Sequence, residues 1–206
     1  MATKDSTAAT RAALLKAAGE EFAAYGLAGA RVDRIAERAG VNKERIYGHF
    51  GTKEMLFDAV VTDAINDLTE QIAMPSDPVE YVAKLTDYYR EHPQLVRLLM
   101  WEALNFRGPD LPGFEARAER CGKKAESLAR GLGREVSPEI ARLLYTLTGL
   151  ALWPSMMPQL GRIMLGDDFA DAEAGRDQVA AFVAAAIEAR RAGRTRRPLE
   201  QRRADR

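Results

Sequence analysis

The most informative stretch of this sequence is a run of polar residues that follows Asn42. Its members, spaced closely enough to share one helix, are Lys43, Glu44, Arg45, Tyr47, Gly48 and His49. Lysine, arginine, tyrosine and histidine donate hydrogen bonds to phosphate oxygens, and arginine can also bind guanine O6 and N7 with two parallel hydrogen bonds. Glu44 could either accept from cytosine N4 or hold Arg45 in place. These residue types favour contact with a nucleic acid.

No catalytic motif accompanies this run. One of the two histidines, His49, lies within it and the other, His92, directly precedes a proline. The patterns CxxC, HExxH, GxxxxGK and GxSxG do not occur in the sequence. The paired acids Asp167 and Asp168 fall in a predicted loop, where a solvated turn is the simpler interpretation. We therefore expect no enzymatic activity, no metal and no cofactor.

Two short helices are needed to position the polar run. Residues 31–50 predict a helix of about two turns, a tight turn at Gly40, and a second short helix that begins after the N-cap Asn42. Ile46 and Phe50 are expected to face inward from the second helix, which leaves its polar residues exposed. This spacing is typical of a helix-turn-helix, whose second helix enters the major groove of DNA.

The segment resembles the DNA-binding domain of the tetracycline-repressor (TetR) family of bacterial transcription regulators. The resemblance covers residues 8 to about 65, and its matching residues are Ile35-Ala36, Ala39-Gly40-Val41, Tyr47-Gly48-His49-Phe50 and Lys53-Glu54. It implies that Tyr47, His49 and Lys53 contact phosphates and that residues 43–45 read bases. With these, the expected DNA-binding residues are Arg31, Asn42, Lys43, Glu44, Arg45, Tyr47, Gly48, His49 and Lys53.

The sequence departs from the family pattern at two places within this segment. The family often begins the first of the two short helices with Thr or Ser, whereas this chain has Ala30-Arg31, so a guanidinium would replace a hydroxyl at the phosphate. The middle of the second helix is small in the family, but Glu44-Arg45 is bulky and charged here. The operator sequence therefore cannot be transferred from relatives.

Apolar residues recur with the helical period of 3.6 from one end of the chain to the other. The 206 residues are 47% hydrophobic and 29% charged, which is ordinary for a globular protein. We predict an all-α fold of about nine helices. Residues 1–51 form the expected helix-turn-helix domain, 52–192 a helical ligand-binding and dimerisation domain, and 193–206 an arginine-rich, disordered tail.

The charge is segregated, although the net charge is zero. Residues 1–53 hold nine basic and six acidic side chains, 54–189 hold 13 basic and 22 acidic ones, and 190–206 hold eight arginines against two acids. A basic first segment beside an acidic body suggests a polyanion partner for the first segment, with a solvated face as the alternative. For the tail, non-specific contact with DNA or RNA is the alternative to disorder.

Neither a membrane span nor a secretion signal is expected. The longest stretch without charge, residues 143–161, contains Pro154 and Pro158 and is interpreted as a buried helix. The N-terminus lacks the apolar core of a signal peptide, which favours a cytoplasmic protein. The single cysteine, Cys121, excludes an intrachain disulfide and is expected to be a small buried side chain.

In the family that the chain resembles, the last two helices form a four-helix dimer interface and the others enclose a small-molecule pocket. A predicted helix that is apolar on all sides, followed by one rich in alanine, supports the first role independently. The expected interface residues are Leu143, Leu147, Leu150, Val179, Phe182, Val183 and Ala186. The candidate ligand-binding residues, with ordinary packing as the alternative, are Tyr88, Tyr89, Met100, Trp101, Phe106, Phe114, Trp153, Met156 and Met157.

These features lead to one main hypothesis and two alternatives. The main hypothesis is a ligand-responsive, homodimeric repressor that an apolar or aromatic small molecule releases from a palindromic double-stranded operator. The first alternative is a DNA-binding regulator or activator without a small-molecule switch. The second is a helical ligand-binding protein that has lost its affinity for DNA.

Overall fold

The computed structural model describes residues 2–72, 76–106, 111 and 113–195, and within them the chain is helical without any β-strand. The predicted all-α fold is therefore confirmed, with a helix count close to the expected nine. The ten α-helices are α1 (Ala2–Gly29), α2 (Val32–Ala39), α3 (Lys43–Phe50), α4 (Lys53–Gln71), α5 (Pro78–Glu91), α6 (Pro93–Asn105), α7 (Phe114–Gly131), α8 (Pro138–Met156), α9 (Pro158–Leu165) and α10 (Ala172–Thr195), with a 3₁₀ turn at Gly166–Ala170.

Several helix ends follow directly from local chemistry. α5 ends before His92 because the residue preceding a proline is disfavoured in the helical conformation. Ser137 caps α8 by accepting a hydrogen bond from the backbone N–H of Ile140 at 3.4 Å. The additional helix arises at Pro158, which cannot donate a backbone hydrogen bond to the end of α8 and instead starts α9.

α1 contains a sharp kink at Gly26. The backbone of Gly26 has φ 68° and ψ 179°, and the helix resumes for one more turn to Gly29. An atom of the Trp101 ring lies 2.6 Å from where a Cβ on residue 26 would stand, so both the conformation and the space require glycine. The Ala23 carbonyl accepts hydrogen bonds from Arg97 Nε (2.7 Å) and Trp101 Nε1 (3.4 Å), which holds α6 against the kinked helix.

The chain divides into two compact units. The first comprises residues 1–73 and 88–123, and the second comprises residues 74–87 and 124–206. The core of the first unit joins α1 to α4 and α6, with the rings of Phe22 and Phe57 packed edge to face at 5.1 Å. By packing, α4 therefore belongs with the helix-turn-helix, while the expected functional boundary after residue 51 remains a prediction.

In the second unit, α8 and α10 are each covered on one face only. Leu147 of α8 and Val183 of α10 are buried, whereas the side chains of Tyr145, Trp153 and Phe182 are 83%, 51% and 60% exposed. Large apolar side chains of α8 thus lie both in the core of this unit and on the face that is uncovered within one chain. α10 extends to Thr195, and the remaining tail residues 196–206 lie outside the described residues.

The expectation that Cys121 is buried is wrong, because its side chain is exposed. The apolar stripe along one face of α7, to which Cys121 belongs, is buried only from Ala125 onward. In the first half of the helix the more buried positions are Arg117 and Arg120, which bind Glu102 and Asn66. Among the described residues, no helix is both long and apolar enough to cross a membrane.

Candidate nucleic-acid interface

The turn between α2 and α3 has the geometry that the sequence predicts. Gly40 adopts the left-handed conformation, with φ 67° and ψ 32°. Its N–H donates to the Glu37 carbonyl at 3.2 Å, and the N–H of Val41 donates to the Ala36 carbonyl at 3.0 Å. This pair of hydrogen bonds is a Schellman motif, which ends α2 and redirects the chain into α3.

α3 is anchored on one face and free on the other. Asn42 accepts a hydrogen bond from the backbone N–H of Arg45 at 3.1 Å, which caps the helix, while Ile46 and Phe50 are buried in the core of the first unit. A Cβ on Gly48 would meet no atom within 4 Å. The six residues of the predicted polar run are all exposed and are Lys43, Glu44, Arg45, Tyr47, Gly48 and His49.

Lys43 is paired within the protein. Its Nζ lies 2.9 Å from a carboxylate oxygen of Asp33 on α2, and both side chains are largely exposed. The hydrogen bond from Lys43, with its charge, lowers the pKa of Asp33 below its ordinary value. To contact DNA, Lys43 must therefore give up or share its ion pair with Asp33. The side chain of Arg45 has no partner among the described residues, so a base would not have to displace one.

Lys53 connects the start of α4 to the junction between α1 and α2. Its Nζ donates to the carbonyls of Ala30 (2.8 Å) and Ala28 (3.3 Å). Thr52 caps the same helix end by accepting from the N–H of Met55 at 3.2 Å. Because an ammonium group has three donors, one N–H of Lys53 remains for a phosphate.

A buried carboxylate that the sequence analysis missed joins α1 to α2. Glu21 is 0% exposed, and its Oε1 accepts hydrogen bonds from Arg34 Nε (2.8 Å), Arg34 Nη2 (2.5 Å) and the backbone N–H of Arg31 (2.9 Å). Burial alone would raise the pKa of this carboxyl, but the hydrogen bonds and the charges of Arg34 and Arg38 outweigh it, so the pKa lies below its ordinary value. The only sequence signal was an acid next to Phe22 on the apolar face of α1.

Arg31 combines a structural backbone contact with an exposed side chain. Its backbone N–H binds the buried Glu21, which fixes the beginning of α2, while its side chain is exposed as a phosphate contact would require. The residue has the extended backbone of an N-cap, and no side-chain hydrogen bond caps α2.

The candidate ligand-binding residues are distributed over both units. In the first unit Tyr88 and Tyr89 are buried, Trp101 and Phe106 pack against the core that carries the helix-turn-helix, and Met100 and Phe114 are exposed. In the second unit Trp153 and Met157 are exposed and Met156 is half-buried. Their role in ligand binding remains a prediction.

Most of the expected dimer residues meet in one apolar groove of about 380 Å³ between α8 and α10. Six of the seven line it, namely Leu143, Leu147, Leu150, Phe182, Val183 and Ala186. The seventh, Val179, is half-buried on α10.

Comparison with known proteins agrees with this geometry. Residues 14–60 match the model of the family described as bacterial regulatory proteins, tetR family, and residues 77–191 match that of the tetracyclin repressor-like C-terminal domain. The chain is 36% identical over 183 residues to the HTH-type transcriptional repressor SCO4008 of Streptomyces coelicolor, an alignment that covers 87% of this chain and 95% of the relative. It is also 36% identical over 104 residues to the HTH-type transcriptional repressor NicS of Pseudomonas putida, covering 47% and 49% of the two chains.

Among solved structures, the fold is similar to that of the transcriptional regulator SCO4942 from Streptomyces coelicolor, with a TM-score of 0.68 and 29% identity over 84% of this chain and 96% of that one. Proteins of this family are non-enzymatic regulators that bind DNA operators as dimers and respond to small molecules. The match over more than half of the chain, together with the helix-turn-helix geometry, shows that this protein belongs to the tetracycline-repressor family of helix-turn-helix transcription regulators.

Proposed function

We propose that the protein is a ligand-responsive, homodimeric repressor that leaves a palindromic operator when it binds an apolar or aromatic small molecule. The proposed DNA-binding role is supported by the geometry of α3. This helix is capped by Asn42, is anchored by Ile46 and Phe50, and exposes a continuous face rich in hydrogen-bond donors. A rigid helix with such a face is suited to the DNA major groove.

Within this face we assign two kinds of contact. Lys43, Glu44 and Arg45 read base edges, and Arg45 is the strongest candidate because its side chain is exposed and has no described partner. The phosphate contacts come from the side chains at the rim of the motif, which are Arg31, Tyr47, His49 and Lys53. Asn42 fixes the start of the helix, and Gly48 leaves room for the backbone of DNA to approach.

The uncovered face of α8 and α10 supports a homodimer. The groove between these helices is lined by leucines, and Phe182 stands 60% exposed beside it. A large apolar surface of this kind is stabilised when a second copy covers it. Two copies related by a two-fold axis would match an operator made of two inverted half-sites.

The effector part of the proposal is supported by the aromatic and methionine residues of both units. Exposed or half-buried Met100, Phe114, Trp153, Met156 and Met157 offer adaptable apolar surface to a ligand. Ligand binding then lowers operator affinity, and by linkage the operator lowers ligand affinity by the same factor.

Selection of binding sites from a random double-stranded DNA library, with light scattering on the same sample, tests this function. We expect enrichment of one inverted repeat by a dimer, and the recovered site then serves as the probe in a screen for molecules that release it. Absence of enrichment at low salt would contradict the DNA-binding role and favour a ligand-binding protein without DNA affinity. Recovery of a site that no screened molecule releases would favour a regulator without a switch.

A further inference from the structure

Three helices of the first unit meet at a largely buried arginine. Arg117 of α7 has a side chain that is 13% exposed, and its Nη1 donates to an oxygen of Glu102 on α6 at 2.9 Å. Glu102 is buried, while the side chain of Asp58 on α4, which faces the same guanidinium, is 31% exposed. These three side chains, which we call the Arg117 cluster, all lie in the first unit, and none of them belongs to α2 or α3.

Three polar atoms of the Arg117 cluster are buried without a hydrogen-bond partner among the described residues. They are Nε and Nη2 of Arg117 and Oδ1 of Asp58, and only one further buried side-chain atom in the described part of the chain shares this property. Nη2 lies 3.9 Å from Oδ1, which is close enough for an ion pair but too far for a direct hydrogen bond. Because unpaired buried polar groups cost free energy, a group that bonds to these atoms would stabilise the protein.

The unpaired atoms of the cluster form a specific arrangement of donors and an acceptor. The Nε–H and Nη2–H groups of Arg117 lie along one edge of the planar guanidinium and offer two parallel donors. Oδ1 of Asp58 offers an acceptor beside this edge. One oxygen that lies about 2.8 Å from both Nη2 and Oδ1 can bridge the 3.9 Å between them. The group that matches this arrangement therefore accepts one hydrogen bond and donates another.

The charges around the unpaired atoms favour a neutral group. An anion on the free edge of Arg117 would lie against the carboxylate of Asp58 and would be repelled. An ammonium group could bind Asp58, but it would face the guanidinium and has no acceptor for the N–H groups. Arg120, three residues further along α7, donates to Asn66 of α4, so two arginines balance the two carboxylates here. A ligand therefore need not supply a charge.

Aromatic side chains lie near the cluster on the same helices. Phe106 follows Glu102 by four residues, and its ring stacks on that of Phe57 with centroids 6.3 Å apart. Phe114 precedes Arg117 by three residues on α7, and its side chain is exposed. Because residues three or four apart share one face of a helix, the ring of Phe114 offers apolar surface beside the guanidinium. This surface is suited to the aromatic body of a ligand.

We propose that the Arg117 cluster binds the hydroxyl group of a neutral aromatic molecule. The hydroxyl oxygen accepts from Arg117, the hydroxyl hydrogen is donated to Asp58, and the ring packs beside Phe114. This inference rests on the function proposed above and names the chemical class of its effector. The effector is a phenol or another aromatic alcohol, and not a purely apolar molecule, an amine or a carboxylate.

Titration of the full-length protein with four naphthalenes at neutral pH and without DNA tests the site. The compounds are 2-naphthol, 2-methoxynaphthalene, 2-naphthoate and 2-naphthylmethylammonium, which carry a hydroxyl, an ether, an anion and a cation on the same body. We expect 2-naphthol to bind at least about tenfold more tightly than each of the others in calorimetry. The ether is the decisive comparison, because it can accept from Arg117 but cannot donate to Asp58. In NMR spectra the Nε–H signal of Arg117, assigned from its loss in Arg117→Lys, should shift when 2-naphthol is added.

Asp58→Asn is the informative variant, because this side chain is partly exposed and its contact with Arg117 is long, so the protein should still fold. We expect the affinity for 2-naphthol to fall about tenfold. The affinity for 2-naphthoate should rise severalfold, because the repelling carboxylate is removed. A purely structural role of Asp58 would not reverse the preference between the two compounds. Glu70→Gln, which removes an exposed carboxylate of α4 outside the cluster, should leave all affinities unchanged.

Equal affinity for 2-naphthol and its methyl ether, or unchanged preferences in Asp58→Asn, would overturn the hydroxyl site. Binding that leaves the Nε–H signal of Arg117 in place would also overturn it and would show that water alone bonds to the cluster. These results leave the proposed function intact if the library selection still recovers an operator, because the titrations contain no DNA. We expect 2-naphthol to release that operator from the wild type and not from Asp58→Asn, and binding without release would overturn the effector role of the cluster.

Discussion

At the scale of single residues, the basic side chains of α3 and of the start of α4 differ in whether another described residue already binds them. Arg45 is exposed with no described side-chain partner, whereas Lys43 is paired with Asp33 and Lys53 donates to two backbone carbonyls. A free guanidinium can bind a base without losing an existing contact. Lys53 combines a structural role with its expected phosphate contact.

Arg45→Ala and Lys53→Ala should therefore affect DNA binding differently. Loss of Arg45 should cost about 1 to 3 kcal/mol of operator binding and relax sequence preference, because a base contact is removed. Loss of Lys53 should weaken binding to all DNA sequences evenly. It should also reduce the slope of log affinity against log salt concentration by about one per subunit. Titrations against operator and random DNA over a salt series measure both effects.

Lys84→Ala, which removes one positive charge from α5, is the control for net charge. Because Lys53 also bonds to the α1–α2 junction, its loss should lower the unfolding free energy by about 1 kcal/mol, as denaturation will show. Identical losses on operator and random DNA for both interface variants would contradict the division into base reader and phosphate contact.

Gly48→Ala should raise the stability of the protein and lower its affinity for DNA. The new Cβ meets no protein atom within 4 Å, and alanine in place of a helical glycine should raise the unfolding free energy by about 0.5 to 1 kcal/mol. The same methyl group lies on the face that we propose contacts DNA, so operator affinity should fall about tenfold. Gly122→Ala on α7 is the matched control, since its Cβ is equally unobstructed and only stability should change. Unchanged operator binding by Gly48→Ala would place residue 48 outside the interface.

At the scale of helices, α1 is the element on which the helix-turn-helix depends. Glu21 fixes the start of α2 to it, and the kink at Gly26 exposes the Ala23 carbonyl to donors from α6. Cationic side chains at the end of a helix stabilise its free carbonyls, and Arg97 has this position here. The orientation of α2, and with it α3, is thus set by polar contacts at the end of α1 as well as by the apolar core.

Glu21→Gln tests the polar part of this arrangement through the pH dependence of stability. Because folding lowers the pKa of Glu21, its contribution is complete above the ordinary value near 4.5 and is lost as the pH falls through the lower folded value. The variant should lose about 1 kcal/mol at neutral pH, a modest figure because Arg34 is 36% exposed, and should lose less stability on acidification than the wild type. Urea denaturation at pH 7 and across the acid range gives both quantities.

Glu20→Gln is the neighbouring control, since that carboxylate is exposed and lies 3.9 Å from Arg38. It should leave both the stability and its pH dependence close to those of the wild type. Parallel acid profiles for Glu21→Gln and the wild type would show that the buried carboxylate does not contribute in its charged form.

The elements that could be predicted from sequence are those with local signals. Gly40, Asn42 and Phe50 lie within eleven consecutive residues, so their turn, cap and anchor roles are visible in the sequence itself. Glu21 binds partners 10 and 13 residues away, and the bond from Trp101 to Ala23 spans 78 residues. Cys121 was misplaced because the apolar stripe of α7 is covered only in its second half. Such contacts depend on which helices pack together. The spacing of residues along a single helix does not determine that packing.

At the scale of the whole molecule, the proposed dimer through the uncovered face of α8 and α10 would make operator affinity depend on assembly. A dimer that binds two half-sites gains the second contact at a high effective concentration, so affinity can exceed that of one half-site by about 100-fold or more. The same gain is lost when the interface is broken, even if each α3 is intact.

Phe182→Glu should therefore convert a tight operator binder into a weak one without touching the DNA-binding residues. The side chain is 60% exposed in the single chain, so the substitution should leave the fold intact, but a partner helix covering it would bury an unpaired charge. We expect a monomer in light scattering and a loss of about 100-fold in affinity for the inverted repeat, with half-site affinity unchanged.

Leu104→Glu, at an exposed apolar residue of α6, controls for the charge and should remain dimeric. A dimer of unchanged stability in the Phe182 variant would show that α8 and α10 are not the interface, and Tyr145 and Trp153 would then need another explanation.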